Sequence, residues 1–321
     1  MNEKTSQLNQ SVLIVGAPRS GTSLVHFMLK SCGKFWSLPS ESDFIWRRYF
    51  VPKINDWQSD AIDPNRLNIK DIKIIRKAYR KYLSAPKFNA ISTLSESNWS
   101  FNRYRRRASL AVGLYLTPFL SRVFFNSDKS SFVDKNTSLC GCLGAYEKVF
   151  PDVKLVYIVR APDTNIKSIN NAWQNAGRFE SYQLPELLDL SDYHSRSWKF
   201  GLPDGWRSRQ FSSTLEISAF QWLKYHQYFY SQITKPYWRQ RSFVLHFEDI
   251  LFDRTNALNK LSSFLNAGDT ELAEKWKGVL PDVNRSNLSG LGREDNILGD
   301  LPVDLAESVR DLYSKVRLLK W

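Results

Sequence analysis

Between Val12 and Ser23 the chain reads VLIVGAPRSGTS, and Gly16 and Gly21 have the G-x-x-x-x-G spacing of a phosphate-binding loop. Where such a loop continues with a lysine, this chain has Thr22 and then Ser23, so the group that would reach β- and γ-phosphates is missing. A glycine-rich turn at the start of a helix presents backbone N–H groups and the positive end of the helix dipole, and so holds an anion with little help from side chains. Ser20, Thr22 and Ser23 add hydroxyl donors, and Arg19 adds a fixed positive charge. Glycine-rich turns also occur simply to reverse the chain; the whole string Pro18-Arg19-Ser20-Gly21-Thr22-Ser23 is more specific than the glycines alone.

A second pairing lies far along the chain. Arg160 ends an apolar run, Pro162 suits the first turn of a helix, and Ser168 falls about two turns into it. A lone arginine is usually solvated or salt-bridged. Arg160 and Ser168 gain meaning only if they surround an anion in the same crevice as the loop.

These residues need elements to position them. SVLIVG reads as a fully buried strand, because four apolar residues end at a glycine and a helical pattern follows in Leu24, Val25, Met28, Leu29 and Cys32. SSFVDKN (130–136), VKLVYIV (153–159) and RSFVLHF (241–247) are further candidate strands. Leu139, Leu143, Tyr146 and Val149 have helical spacing, as do Leu258, Leu261, Phe264 and Leu265, the latter with Asp253 as a candidate N-cap. Strands alternating with helices predict an α/β fold: a P-loop-like three-layer α/β/α arrangement with a central parallel sheet and helical insertions. Such sheets bind ligands at the carboxyl ends of their strands, where Gly16, Asp134, Arg160 and Glu248 should emerge. We expect one domain over 1–321, with a core at about 11–40, 130–175 and 240–266. The aromatic and basic stretch 44–120 and the loop-like stretch 177–213 then become substrate-facing insertions. The segment 218–233 looks helical, with its aromatic rings in the core.

Lys+Arg number 45 against 32 Asp+Glu, a net charge of +13, which favours anionic partners without choosing among them. The three cysteines, Cys32, Cys140 and Cys142, fit neither a disulfide framework nor a zinc site, and the four scattered histidines form no H-E-x-x-H arrangement, so no metal is expected. No apolar run approaches the length of a membrane span, so we expect a cytoplasmic protein, with peripheral contact at a membrane surface left open.

At this point the sequence resembles the sulfotransferases that use 3′-phosphoadenosine 5′-phosphosulfate (PAPS). VGAPRSGTSLVHFML is similar to their 5′-phosphosulfate loop, and FPDVKLVYIVRAPDTNIKSI to the segment whose strand-end arginine and helical serine hold the 3′-phosphate. FVDKNTSL resembles their strand-and-lysine element, and FVLHFEDILFDRTNALNKLSSFLN a segment near the family's C-terminal end. The resemblance implies PAPS as donor and 3′-phosphoadenosine 5′-phosphate (PAP) as product, without a metal. That donor has no β- or γ-phosphate, so a Walker lysine is dispensable, and Arg19 could stabilise charge building on the leaving phosphate.

Family members acting on small molecules place a histidine just after the strand lysine; here Lys135 is followed by Asn136 and Thr137. Glycan and tyrosyl members instead carry a glutamate shortly after the first helix, and LPSESDFIW supplies Glu41. The resemblance therefore implies Glu41 as general base, with Asp43 its nearest competitor and a plain helix-start acid as the alternative. It implies Lys135 on the transferring group, against a surface lysine paired with Asp134. Arg285, Gly290, Gly292 and Arg293 loosely match a basic loop over the cofactor, with Arg293 as a candidate ligand.

Eleven tryptophans and 14 tyrosines, with Trp36, Trp46, Trp57 and Trp99 near the basic run Arg103–Arg107, suit a carbohydrate or glycolipid hydroxyl, although single rings are more often core. A small-molecule or natural-product hydroxyl is the alternative acceptor. Two rivals lie outside this class. A P-loop kinase or NTPase is opposed by Thr22, and a basic protein binding nucleic acid or an anionic surface is opposed by the lack of any nucleic-acid motif.

Overall fold

Val12, Leu13, Ile14 and Val15 are all buried and alternate between two separate cores, as an apolar run does in a strand covered on both faces. The computed structural model describes residues 11–31, 35–38, 41–47, 51–83, 131–137, 140–265 and 296–319. Its strands are β1 (Ser11–Gly16), β2 (Phe35–Ser37), β3 (Ser131–Lys135), β4 (Lys154–Val159), β5 (Glu180–Leu190), β6 (Tyr193–Lys199) and β7 (Ser242–His246). Five of them form a parallel sheet in the order β2-β3-β1-β4-β7.

The helices are α1 (Thr22–Ser31), α2 (Asp43–Trp46), α3 (Ile69–Tyr82), α4 (Leu143–Val149), α5 (Pro162–Trp173), α6 (Thr214–Ile233), α7 (Pro236–Arg239), α8 (Phe247–Phe252), α9 (Arg254–Phe264) and α10 (Val303–Arg317). Val12, Ile14, Val133, Val156 and Ile158 meet Val25, Met28 and Leu29 of α1 and Leu258 and Leu261 of α9. Leu13, Val15, Phe132, Leu155 and Tyr157 meet Ile75 and Tyr79 of α3, Ile166 and Ile169 of α5, and Phe229 of α6. The three layers predicted from alternating strands and helices are present. The aromatic positions of α6 are core, with Phe220, Trp222, Tyr225 and Phe229 buried.

Two corrections concern elements. The stretch 177–213 is not simply loop-like: β5 and β6 pair there as an antiparallel hairpin, turning through Ser191 and Asp192. Its apolar side, Tyr182, Leu184 and Leu188, is interrupted by a register shift between Gln183 and Leu188, and Pro185 sits inside the run. A proline and a bulge hide the period-two signal. The short edge strand β2 is the second, since three residues carry no periodicity. At helix starts, Asp253 occupies the N-cap of α9 but its side chain makes no capping bond. Segments 84–130 and 266–295, with Trp99, Arg103–Arg107, Arg285 and Arg293, lie outside the described residues.

Candidate active site

Strand β1 stops at Gly16, α1 begins at Thr22, and the turn between them is built around glycine. A Cβ on Gly16 would stand 2.6 Å from the Ile158 carbonyl and 2.6 Å from Ser20 Oγ. Gly21 adopts φ +104°, and a Cβ there would meet the Phe247 ring at 2.5 Å. The loop is pinned by Asn165 Nδ2 of α5, which donates to the Pro18 carbonyl at 2.8 Å. Arg19 takes a left-handed φ of 65° and faces solvent, Thr22 is buried and Ser23 exposed. Ser20 Oγ is buried without a partner among the described contacts. A buried hydroxyl costs free energy until something bonds it. Together with the first-turn amides of α1, it fits an oxygen-rich anion at the turn.

Because Gly16 is in register with Ile158, Arg160 leaves β4 beside this loop. Its Nη1 donates to the Arg19 carbonyl at 3.1 Å, its Nε donates to Thr164 Oγ1 at 3.0 Å, and its guanidinium lies 4.9 Å over the Phe247 ring. Burial lowers the Arg160 pKa, Glu248 opposes that shift, and Arg19 adds to it. Glu248 also accepts from the Ala161 amide at 3.0 Å, tying β7's exit to the start of α5. Ser168 is half-buried on α5, one turn beyond Thr164.

On the other side of β1, Lys135 is in register with Ile14. Its ammonium lies 2.7 Å from Glu41 Oε1 and donates to Ser23 Oγ at 2.8 Å. Thr137 Oγ1 donates to the same carboxylate at 3.0 Å and the Thr137 amide at 3.2 Å. Lys135 therefore does not pair with Asp134, whose carboxylate is buried. Tyr79 and Tyr146 each donate to Asp134 Oδ2 at 2.6 Å, and burial pushes that carboxyl up to about 6. Ser42 Oγ meets Tyr146 Oη at 2.6 Å, and Trp46 Nε1 donates to both tyrosines, so the arm carrying Glu41 is stapled to the end of β3. Ser42 holds the N-cap position of α2 but makes no cap bond, being spent on that cluster. Asp43 lies 3.1 Å from Arg47, and burial raises its pKa. His26 Nε2 meets Ser37 Oγ at 2.9 Å; desolvation, then Lys135 and Lys30, hold the imidazole neutral.

The predicted residues thus fall into two groups flanking β1. Pro18, Arg19, Ser20, Gly21, Thr22, Ser23 and Arg160 gather at the loop, with Ser168 along α5. Glu41 and Lys135 meet on the other side and touch the loop through Ser23. Thr137 and Asn165 lie outside the predicted set, because nothing local marks them; Glu248 emerges from the end of β7 beside Arg160, where the strand-end rule expects it. Trp36 and Trp46 are core rings, buried at 5% and 0% exposure, not open platforms for a sugar. A cavity of about 880 Å³ runs from Val51–Arg66 past Gly141 to Tyr228 and contains none of these residues. Among the described residues no cluster of His, Cys, Asp or Glu could hold a metal, and no helix is long and apolar enough to cross a membrane.

A parallel sheet with a glycine-built anion loop and a strand-end arginine defines a phosphate-binding α/β protein of the nucleotide-dependent kind. A model of the sulfotransferase family matches residues 11–202, well over half of the chain, and the chain belongs to that family. Its activity is that of a sulfotransferase. The sulfotransferase domain from the curacin biosynthetic pathway is similar at 16% identity, covering 98% of this chain and 100% of that one, with a TM-score of 0.49. The sulfotransferase domain of the Synechococcus PCC 7002 olefin synthase is similar at 15% identity, covering 99% and 98%, with a TM-score of 0.47. A mouse sulfotransferase complexed with PAP is similar at 13% identity, covering 98% and 88%, with a TM-score of 0.42. No curated protein matches the chain.

Proposed function

We propose that the chain moves the sulfuryl group of PAPS to a hydroxyl of a carbohydrate or glycolipid acceptor by in-line displacement, with Glu41 as general base, in the cytoplasm. One observation carries the base assignment. The Glu41 carboxylate stands 2.7 Å from Lys135, and Lys135 also reaches Ser23 at the start of α1, so base, lysine and phosphate loop form one connected unit.

PAPS supplies an activated sulfuryl group on a phosphate leaving group. The turn amides, Ser20 and Arg19 would hold its 5′ end, and Arg160 with Ser168 its 3′-phosphate. The Glu41 carboxylate faces the Lys135 ammonium and the Thr137 donors, and in this reading it takes the acceptor's proton. An ammonium has three N–H donors, and Lys135 engages Glu41 and Ser23 with two. The third can meet negative charge developing at the transferring group. Burial of Trp36 and Trp46 removes two rings that could have stacked on a sugar, which favours a small-molecule hydroxyl as the second reading.

The test has two parts. Labelled PAPS incubated with fractionated glycans, glycolipids and small hydroxyl compounds identifies the acceptor class by the fraction that takes up sulfate. With that acceptor, Glu41→Gln should lower kcat by about a hundredfold or more while leaving PAP affinity unchanged. Asp43→Asn and His26→Gln should each keep most of the activity. A Glu41→Gln enzyme with near-normal kcat overturns the base assignment.

A further inference from the structure

The open end of the β5–β6 hairpin is conformationally unusual where it meets the phosphate loop. Phe179 and Phe200 adopt left-handed backbones with φ of 63° and 62°, and Gly177 beside them has φ 66°. Bulky residues rarely take this conformation, and it persists where the surroundings over-determine it, often at ligand sites. Here the two rings stack with centroids 5.3 Å apart, and the Phe200 amide donates to the Phe179 carbonyl at 3.1 Å.

What this geometry achieves is contact with the loop. The Arg19 guanidinium lies 5.3 Å over the Phe179 ring, and the Arg178 guanidinium lies 5.3 Å over the same ring. Partial burial and then the neighbouring Arg178 lower the Arg19 pKa. Arg160 approaches from β4 and bonds the Arg19 carbonyl. Like charges gathered this closely repel one another until an anion enters between them. Guanidinium groups suit phosphate and sulfate oxygens because their donors are planar and paired.

We propose that Arg178, presented on the Phe179 ring by the hairpin, is a donor-binding residue that adds a further guanidinium to the 5′ side of the nucleotide site. The inference rests on the loop being the PAPS site. It gives the hairpin a role on the donor side as well as any role toward the acceptor.

Calorimetric titration with PAP and with adenosine 3′-phosphate tests it, using wild type, Arg178→Ala, Arg178→Lys, Arg160→Ala and Arg196→Ala. Arg196 is exposed on β6 and serves as the charge-matched control within the same hairpin. Arg178→Ala should bind PAP about five- to tenfold more weakly, a loss suited to an exposed charge-assisted contact. Arg178→Lys should recover part of that loss, and Arg196→Ala should bind like wild type. Adenosine 3′-phosphate, which lacks the 5′ group, should bind wild type and Arg178→Ala equally. The inference falls if Arg178→Ala binds PAP as wild type does, if Arg196→Ala is weakened as much, or if adenosine 3′-phosphate is weakened equally. Arg160→Ala separates the two levels. If it weakens PAP while Arg178→Ala does not, the donor site stands and only the hairpin's part fails; a folded wild type that binds no PAP overturns the donor site itself.

Discussion

Glu41 and Asp43 are two positions apart and have opposite surroundings. Glu41 meets an ammonium, a hydroxyl and an amide from β3 and its exit, whereas Asp43 turns to Arg47 one helical turn away. A local ion pair occupies Asp43; a long-range one ties Glu41 to the loop. The arginines divide in a comparable way. Arg160 is braced by Thr164 and Phe247 and directed at the Arg19 carbonyl, so its side chain is ordered before any ligand arrives. Arg160→Ala should weaken PAP binding by about tenfold or more, the order expected for a preorganised charge-assisted contact. Titration of PAP into the variant checks this, and unchanged affinity would remove Arg160 from the site.

At the scale of elements, buried carboxylates tie the insertions to the sheet. Asp134 in β3 gathers Tyr79 of α3 and Tyr146 of α4, and through Tyr146 it holds Ser42 beside Glu41. Asp60 plays the same part for the hairpin, accepting from the Cys140 amide at 2.9 Å, the Leu202 amide at 2.7 Å and Tyr182 Oη at 3.0 Å. Burial outweighs those donors and lifts the Asp60 pKa from 3.8 to about 7. In the unfolded chain the carboxyl titrates near its ordinary value, so there it loses its proton first. The stabilisation is therefore full below about pH 4 and is lost as the pH rises through about 7. Asp60→Asn should be destabilised by about 2 kcal/mol, because an amide cannot accept from all of these donors. It should also lose this part of the decline in stability between acid and neutral pH. Denaturant unfolding of both proteins across that range checks it; an identical slope in the variant would assign the decline to other groups.

For the whole molecule, the +13 charge and a crevice lined by Arg19 and Arg160 should make nucleotide binding strongly stabilising. PAP should raise the melting temperature without added metal, and more than ATP with Mg²⁺ does. Equal or greater stabilisation by ATP with Mg²⁺ would count against the donor preference, since the loop has Thr22 where a triphosphate would need lysine.

Much of this architecture is legible in the linear chain, and the parts that are not share a cause. The apolar run before Gly16, the glycine spacing to Gly21 and the Pro162 helix start are local patterns, because burial on both faces, backbone freedom and helix initiation act over a few residues. They define strand, turn and helix, and with them an anion site. Which distant residues complete that site depends on strand order and register, which no local pattern contains. Lys135 reaches Glu41 only because β3 lies beside β1, and Arg160 reaches Arg19 only because β4 flanks the other side. The β5–β6 hairpin, masked by Pro185 and a register shift, brings Phe179 against Arg19 from about half the chain away. The sequence by itself determined a phosphate-binding α/β core. Tertiary structure decided which acid, lysine and arginines share it, because their approach is fixed by how the sheet is ordered and not by any property of the neighbouring residues.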